Sequence, residues 1–401
     1  MGGMVLPFDF QLPTKIYFGP GKINNIAKYI QPVGRKALIV TGQSSMRRLG
    51  ILDKITGLLN KGGIDAVIFE GIEPNPRHTT CDLAAALARQ EGRDVIIGLG
   101  GGSAMDAAKG IAVTAKTGYS IWDYVYSGPD KEQRKITDAL PIVLIPTIAA
   151  TGSEADSGGI ISNWETREKT GIWGDALFPR VSIVDPELMV SCPPEYTADG
   201  GVDIISHVIE SYFTGTTEAS LQDRFSEGVI KTVIKYLPRA IQNGTDLEAR
   251  THLAWCSTVA LSGLINSGRG GSYPLHALEH VVSAHYDISH GRGLALLLPA
   301  LMEFTMTARP AKYIEMGENI FGLRLDCGDI ESAARAGVNA MNNWLASVGR
   351  LLTFTQLGID DSKFEVMADD VVRLYMRDKG CLSNPRPIDR AGVLEIFRMT
   401  L

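Results

Sequence analysis

Short apolar runs alternate with amphipathic stretches through the first half of the chain, and this rhythm predicts a parallel sheet flanked by helices. Lys36-Ala-Leu-Ile-Val-Thr41 closes on Gly42, Ala66-Val-Ile-Phe69 precedes the turn-rich Pro74-Asn-Pro76, and Asp94-Val-Ile-Ile-Gly-Leu-Gly100 runs straight into further glycines. Leu140-Pro-Ile-Val-Leu-Ile-Pro146 is a fourth such run. Near-continuous apolar segments of this length fit strands buried on both faces. Helical periodicity occupies residues 45–60, 79–91 and 103–114 between them. A βαβαβ order implies parallel strands joined by right-handed crossovers. Beyond Val181-Ser-Ile-Val-Asp185 the texture changes. Strand-like runs nearly vanish, and helical stretches cover 197–214, 220–242, 246–264, 294–307, 310–321, 330–348 and 363–378.

The pattern predicts an α/β, Rossmann-like domain over residues 1–190 and an all-α domain over 191–401, divided near Cys192-Pro-Pro194. A chain of 401 residues is also longer than a single core usually organises. A net charge of −6 argues against a nucleic-acid partner, which calls for basic patches. No apolar run reaches the roughly 18–20 residues needed to cross a bilayer. The opening Met1-Gly-Gly reads as a possible addition ahead of Met4, with no secretory pattern behind it. Cys81, Cys192, Cys256, Cys327 and Cys381 are scattered and form no Cys-x-x-Cys pair, so a reduced, cytoplasmic setting is expected. Any metal would have to use nitrogen and oxygen ligands.

Two loops carry candidate nucleotide chemistry. Gly100-Gly101-Gly102-Ser103 ends a strand and opens a helix, where glycines admit a pyrophosphate and the helix N-terminus offers N–H donors. Ser103 would cap the helix or bind a phosphate oxygen. The loop follows the third strand, whereas an ordinary Rossmann fingerprint follows the first. Pro146-Thr147-Ile-Ala-Ala-Thr-Gly-Ser153-Glu154 is a second loop of small and hydroxylated residues at a strand end.

Four of the seven histidines, His276, His280, His285 and His290, lie within fifteen residues. His276 and His280 share a helical face by their spacing, as do Asp203 and His207. A nitrogen-plus-carboxylate set without thiolate suits Fe(II) or Zn(II). A metal held there would polarise an alcohol oxygen beside a hydride-accepting nicotinamide.

In this order, the motifs resemble the iron-containing (group III) alcohol dehydrogenases, related in fold to glycerol dehydrogenase and dehydroquinate synthase. The resemblance runs from Pro13-Thr-Lys-Ile-Tyr-Phe-Gly19 through Gly98-Leu-Gly-Gly-Gly-Ser-Ala-Met-Asp-Ala-Ala-Lys109 and Val184-Asp-Pro-Glu-Leu188. It continues through Gly201-Val-Asp-Ile-Ile-Ser-His-Val-Ile-Glu-Ser-Tyr212 to His276-x-x-x-His280 and His290-Gly291. It implies Asp203, His207, His276 and His290 as metal ligands, with iron expected and zinc as the alternative. His280 is implied as a non-ligating group for proton relay or orientation. Gly100, Gly101, Gly102, Ser103, Asp106, Thr147, Ser153, Lys169 and Leu188 are implied as dinucleotide-binding positions, Leu188 near the adenine. The implied reaction is hydride transfer between a nicotinamide and a primary alcohol or aldehyde, in a homodimer with no membrane partner.

The sequence departs from the family pattern at Ile148, which removes a hydroxyl, and at Ala150, which replaces a glycine. NAD-preferring relatives often carry Asp after the first strand; here Gly42 stands there, followed by Ser44, Ser45, Arg47 and Arg48. Glycine leaves room for a 2′-phosphate, so NADP(H) is favoured, with Gly42, Ser44 and Ser45 as contacts. Rival readings are a lyase of the dehydroquinate synthase type, a polyol dehydrogenase and a non-catalytic nucleotide sensor.

Overall fold

The computed structural model describes residues 4–326 and 328–401; Met1–Gly3 and Cys327 lie outside the described residues. Eight strands occur among the described residues: β1 (Lys15–Phe18), β2 (Lys36–Gly42), β3 (Asp65–Ile72), β4 (Val95–Gly100), β5 (Ile142–Pro146), β6 (Gly158–Asn163), β7 (Glu168–Trp173) and β8 (Val181–Val184). Six form one sheet in the order β1-β8-β5-β4-β2-β3, with every pairing parallel. The other two, β6 and β7, form an antiparallel hairpin.

The continuous apolar runs are explained by burial on both faces of the sheet. Leu38 and Val40 of β2, Ile96 of β4 and Leu144 of β5 enter one core with Cys81, Ala84, Ala108 and Ile111. Ala37, Ile39, Ile97 and Ile145 enter the other with Ile23, Ile26, Ile55 and Leu59. Each fully buried Leu or Ile contributes about 1.5–3 kcal/mol relative to exposure, so both faces hold the helices firmly.

All four expected strands are present. The expected 45–60 helix is broken at Gly50, whose φ is +69°, into Ser45–Arg48 and Ile51–Lys61. The hairpin was not expected, because its segments mix Gly, Ser, Asn, Glu and Lys with few apolar residues.

The second half is helical: Pro194–Thr214, Ser220–Gln242, Leu247–Ala260, Pro274–Tyr286, His290–Met306, Pro310–Asn319, Ile330–Ser347, Phe364–Val371 and Arg390–Arg398. Among the described residues no helix is long and apolar enough to cross a membrane.

The chain forms two compact units. One comprises Gln11–Pro193 with Asn243–Ser262; the other comprises the described residues up to Phe10, Pro194–Gln242 and Gly263–Leu401. The first passage between units falls close to residue 190, but one cut is not enough. Helix Leu247–Ala260 belongs with the sheet, where Ser257 Oγ accepts from the Ala150 N–H at 3.0 Å and Thr258 Oγ1 donates to Glu154 Oε1 at 2.6 Å. Helical periodicity specifies that a helix packs, not which neighbour receives it.

Candidate active site

In the sheet unit, the strand order β5-β4-β2 makes neighbours of the three strands whose loops carry candidate nucleotide contacts. From β2 the chain goes out to β3 on one side, then returns to β4 on the other. The carboxyl edge between β2 and β4 is therefore a topological switch point, where open α/β sheets bind ligands. This order accounts for a glycine loop that follows the third expected strand: β4 borders the switch point.

Gly42 ends β2, and Ser44 and Ser45 follow it, both exposed. Gly100 ends β4, and Gly101, Gly102 and Ser103 follow it; Thr147 and Ser153 follow β5. The two later loops pack on each other. The Thr147 N–H donates to the Gly100 carbonyl at 2.9 Å, and a Cβ at Gly102 would stand 2.6 Å from Thr151 Cγ2. Gly101, not Ser103, caps helix Gly102–Thr117, and it does so without a side-chain bond. Ala150 is not among the residues with left-handed φ, so replacing glycine there strains nothing.

Other candidates occupy bracing positions. Ser153 Oγ donates to Asp106 Oδ1 at 2.6 Å, and the Ile160 N–H donates to Asp106 Oδ2 at 2.9 Å. Burial pushes the Asp106 carboxyl up to about 6, against the opposing pull of Lys109 and these hydrogen bonds. Lys169 lies in β7 opposite Ser162 and is only 3% exposed, unlike a solvated surface charge. Leu188 is buried in the core that holds Ile145 and Ile183.

The helical unit gathers the five remaining candidates. Asp203 and His207 lie one turn apart on helix Pro194–Thr214, His276 and His280 one turn apart on Pro274–Tyr286, and His290 opens His290–Met306. Asp287, at φ +53°, ends the second helix and lets the chain turn into the third. One donor atom each from Asp203, His276 and His290 lies within 4.8 Å of the others. The ring centroids of His207 and His276 are 4.4 Å apart, and those of His276 and His290 are 5.3 Å apart. His280 sits 5.4 Å from His290 and 6.2 Å from His276 by the same measure.

Three rings of this cluster are anchored through Nδ1. His207 Nδ1 lies 2.9 Å from the Asp203 carbonyl, His276 Nδ1 bonds Glu210 Oε2, and His290 Nδ1 bonds Glu279 Oε2. These acceptors call for a proton on Nδ1, which directs the Nε2 lone pair outward for a cation. His276 Nε2 is buried without a hydrogen-bond partner among the described residues, while buried Asp203 Oδ1 faces His207 Nδ1 at 3.1 Å and His290 Nε2 at 3.9 Å. Converging donors of this kind, with one ring nitrogen left unpartnered, fit a divalent ion, and the N/O set suits Fe(II) or Zn(II).

The electrostatics agree. Burial opposes ionisation of Asp203, but His207, His290 and His276 outweigh it and hold the carboxyl below its ordinary range. Burial disfavours a charged His207, yet Asp203 more than compensates and raises it. A divalent ion would take the place of that proton, since ligands bind metal deprotonated.

The model for iron-containing alcohol dehydrogenases matches residues 13–186, and that for the C-terminal region of the same family matches residues 197–401. The chain belongs to the iron-containing alcohol dehydrogenase family. It is 38% identical over 395 residues to NADH-dependent butanol dehydrogenase A of Clostridium acetobutylicum, covering 98% of this chain and 99% of that protein. It is 31% identical over 362 residues to NADPH-dependent aldehyde reductase YqhD of Escherichia coli, covering 90% and 91% respectively. The crystal structure of a NADH-dependent butanol dehydrogenase A from Thermotoga maritima superposes with a TM-score of 0.93 at 36% identity, covering 99% of each chain. The family also accounts for the fold: a parallel-sheet domain followed by a helical one.

Sequence reasoning missed the carboxylates behind the rings. Glu210 also accepts from the Leu275 N–H at 2.5 Å and the His276 N–H at 3.3 Å, so it holds the start of the histidine helix as well as one ring. A partial signal was present: Glu210 follows His207 by three residues and Glu279 follows His276 by three, each on the face of a candidate ligand of its own helix, although the ring each one holds belongs to another helix. A second support is Asp199, which accepts from Ser289 Oγ at 3.0 Å and Arg350 Nε at 2.6 Å, fixing the residue that precedes His290.

Proposed function

We propose that the protein is a metal-dependent alcohol dehydrogenase or aldehyde reductase, moving hydride between a nicotinamide and a small primary alcohol or aldehyde. The observation that carries this is the convergence of Asp203, His276 and His290 donor atoms within 4.8 Å of one another, with His276 Nε2 left unpartnered and the rings backed by the Glu210 and Glu279 carboxylates. Asp203, His207, His276 and His290 would hold the ion, with iron favoured by family and zinc as the alternative. When bound, the ion supplies Lewis acidity toward the alcohol or carbonyl oxygen, and the nicotinamide supplies or takes the hydride. His280, beside the ligand histidines, orients the reacting oxygen or exchanges its proton. Gly100, Gly101, Gly102 and Ser103 would receive the pyrophosphate at a helix N-terminus, with Thr147 and Lys169 adding contacts. Asp106 and Ser153 would act by bracing the second loop, and Leu188 by shaping the core beneath the nucleotide.

We take NADP(H) as the preferred nucleotide. Its support is Gly42, where no carboxylate opposes a 2′-phosphate, together with exposed Ser44, Ser45 and Arg48. Arg47 does not add to it, because Glu70 binds its guanidinium through Nε at 2.9 Å and Nη2 at 2.6 Å. Relatives carry both preferences in their names. A Cβ at Gly42 would meet only the Ile72 carbonyl, at 3.8 Å, so aspartate fits there.

The test is kcat/KM for butyraldehyde reduction with each nucleotide in wild type and Gly42→Asp. Wild type should prefer NADPH, and the variant should move the ratio toward NADH by about 10-fold or more, as like charges meet. Equal ratios in both proteins would remove the NADP(H) assignment. No turnover with either nucleotide would favour a lyase. We further propose a homodimer, supported by the exposed apolar side chains of Met4, Val5, Leu6, Phe8 and Phe10, in a cytoplasmic setting, which the absence of any Cys-x-x-Cys pair in the sequence favours. Light scattering should give twice the 43.3 kDa chain mass.

A further inference from the structure

His280 differs from the other three histidines of the cluster in what holds it. Carbonyl or carboxylate oxygens face Nδ1 of His207, His276 and His290. Nδ1 of His280 instead lies 2.9 Å from the hydroxyl of Tyr375, with ring centroids 5.9 Å apart. Carbonyls and carboxylates only accept, so they impose a proton on Nδ1. A phenol can donate, and an imidazole nitrogen is a good acceptor, so Tyr375 supports the opposite tautomer, with the proton on Nε2.

The backbone is shaped for this contact. Helix Phe364–Val371 runs into a single π-helical turn, Val372–Met376, which carries Tyr375. Asp370, five residues earlier, accepts from His285 Nε2 at 2.8 Å and from Arg373 Nη2 at 2.6 Å. In an α-helix, positions five apart point about 140° away from each other. A π turn bonds residue i to i+5 and brings such positions back toward one face. Asp370 and Tyr375 can thus both reach helix Pro274–Tyr286, at His285 and His280. π turns of one cycle occur often at functional sites, where they re-aim a side chain at some cost in helix stability.

We propose that Tyr375 is a positioning residue for His280: its hydroxyl fixes the ring's rotation and tautomer, so that an Nε2–H faces the reacting oxygen. This rests on His280 acting on that oxygen, as proposed above. Tyr375 need not touch substrate or nucleotide; it acts through the ring.

The test uses full-length protein loaded with zinc, which is diamagnetic, and carrying 15N-labelled histidine. Long-range 1H–15N spectra should show His280 as the Nε2–H tautomer, and Tyr375→Phe should shift it toward Nδ1–H or a mixture. In the same variant, kcat for butyraldehyde reduction should fall about 3- to 10-fold, the scale of one lost hydrogen bond, while zinc affinity and nucleotide KM stay unchanged. In a His280→Ala background, Tyr375→Phe should cause no further loss, because the two residues act as one unit. An unchanged His280 tautomer and rate in Tyr375→Phe would overturn the proposal. So would a full additional loss in the His280→Ala background, which would mean that Tyr375 acts elsewhere. If wild type reduces no aldehyde, the enzymatic function fails, and the spectra alone still decide whether Tyr375 sets the ring.

Discussion

At the scale of single residues, the proposed chemistry depends on the groups behind the candidate ligands as much as on those ligands. Glu210 gives His276 a negative partner at Nδ1 and raises its basicity at Nε2. Glu210→Gln keeps the shape and removes the charge. Metal affinity, followed by competition with a chelator, should fall by about 10- to 100-fold while the far-ultraviolet spectrum stays the same. Asp106 gives a pH prediction. Its buried carboxyl is raised to about 6, above its ordinary value of 3.8, so the folded state holds this proton more tightly than the unfolded state. Its contribution is therefore greatest at low pH and is lost as pH rises through roughly 4 to 6. A 13C carboxyl titration should find its midpoint near 6; a midpoint near 4 would show that the Ser153 and Ile160 hydrogen bonds outweigh burial. Asp203 with His207 and His276 with His280 were legible as candidates by their one-turn spacing, whereas His290 and the choice of ligand set came from the family resemblance. Tyr375 was not, because no sequence pattern announced a π turn at residues 372–376.

At the scale of elements, the start of helix His290–Met306 sets where His290 points. The helix approaches so closely that a Cβ at Gly291 would overlap the Asp199 carbonyl. Gly291→Ala should therefore destabilise the protein by about 1–3 kcal/mol, the usual cost of overpacking, and weaken metal binding with it. Thermal unfolding with and without metal would separate the two effects, and an unchanged melting temperature would show that the helix start is adaptable. The strands with doubly buried apolar runs were readable, since only a covered sheet tolerates such sequences. β1, β6 and β7 were not: β1 is four residues long, and the hairpin is built from polar and glycine residues. Helix Leu247–Ala260 was readable as a helix but not as a partner of the sheet unit, because its bonds to Ala150 and Glu154 join residues more than a hundred positions apart.

At the scale of the whole molecule, the candidate ligands come from three helices, so metal binding and folding of the helical unit are linked. Saturating metal at about 1,000 times its dissociation constant stabilises a protein by about 4 kcal/mol if only the folded form binds. Chelation should accordingly lower the melting temperature measurably, and His276→Ala should show a much smaller difference between stripped and loaded forms. A wild-type melting temperature indifferent to metal would mean that the cluster does not hold an ion.

The most direct test of the central claim is aldehyde-dependent NAD(P)H oxidation by protein purified without oxygen, stripped of metal and reloaded with Fe(II) or Zn(II), beside His276→Ala treated identically. Turnover should be absent from stripped protein, return on reloading the wild type and stay absent in the variant. Equal turnover by stripped and reloaded protein, or undiminished turnover in the variant, would contradict a metal-dependent dehydrogenase built on Asp203, His207, His276 and His290.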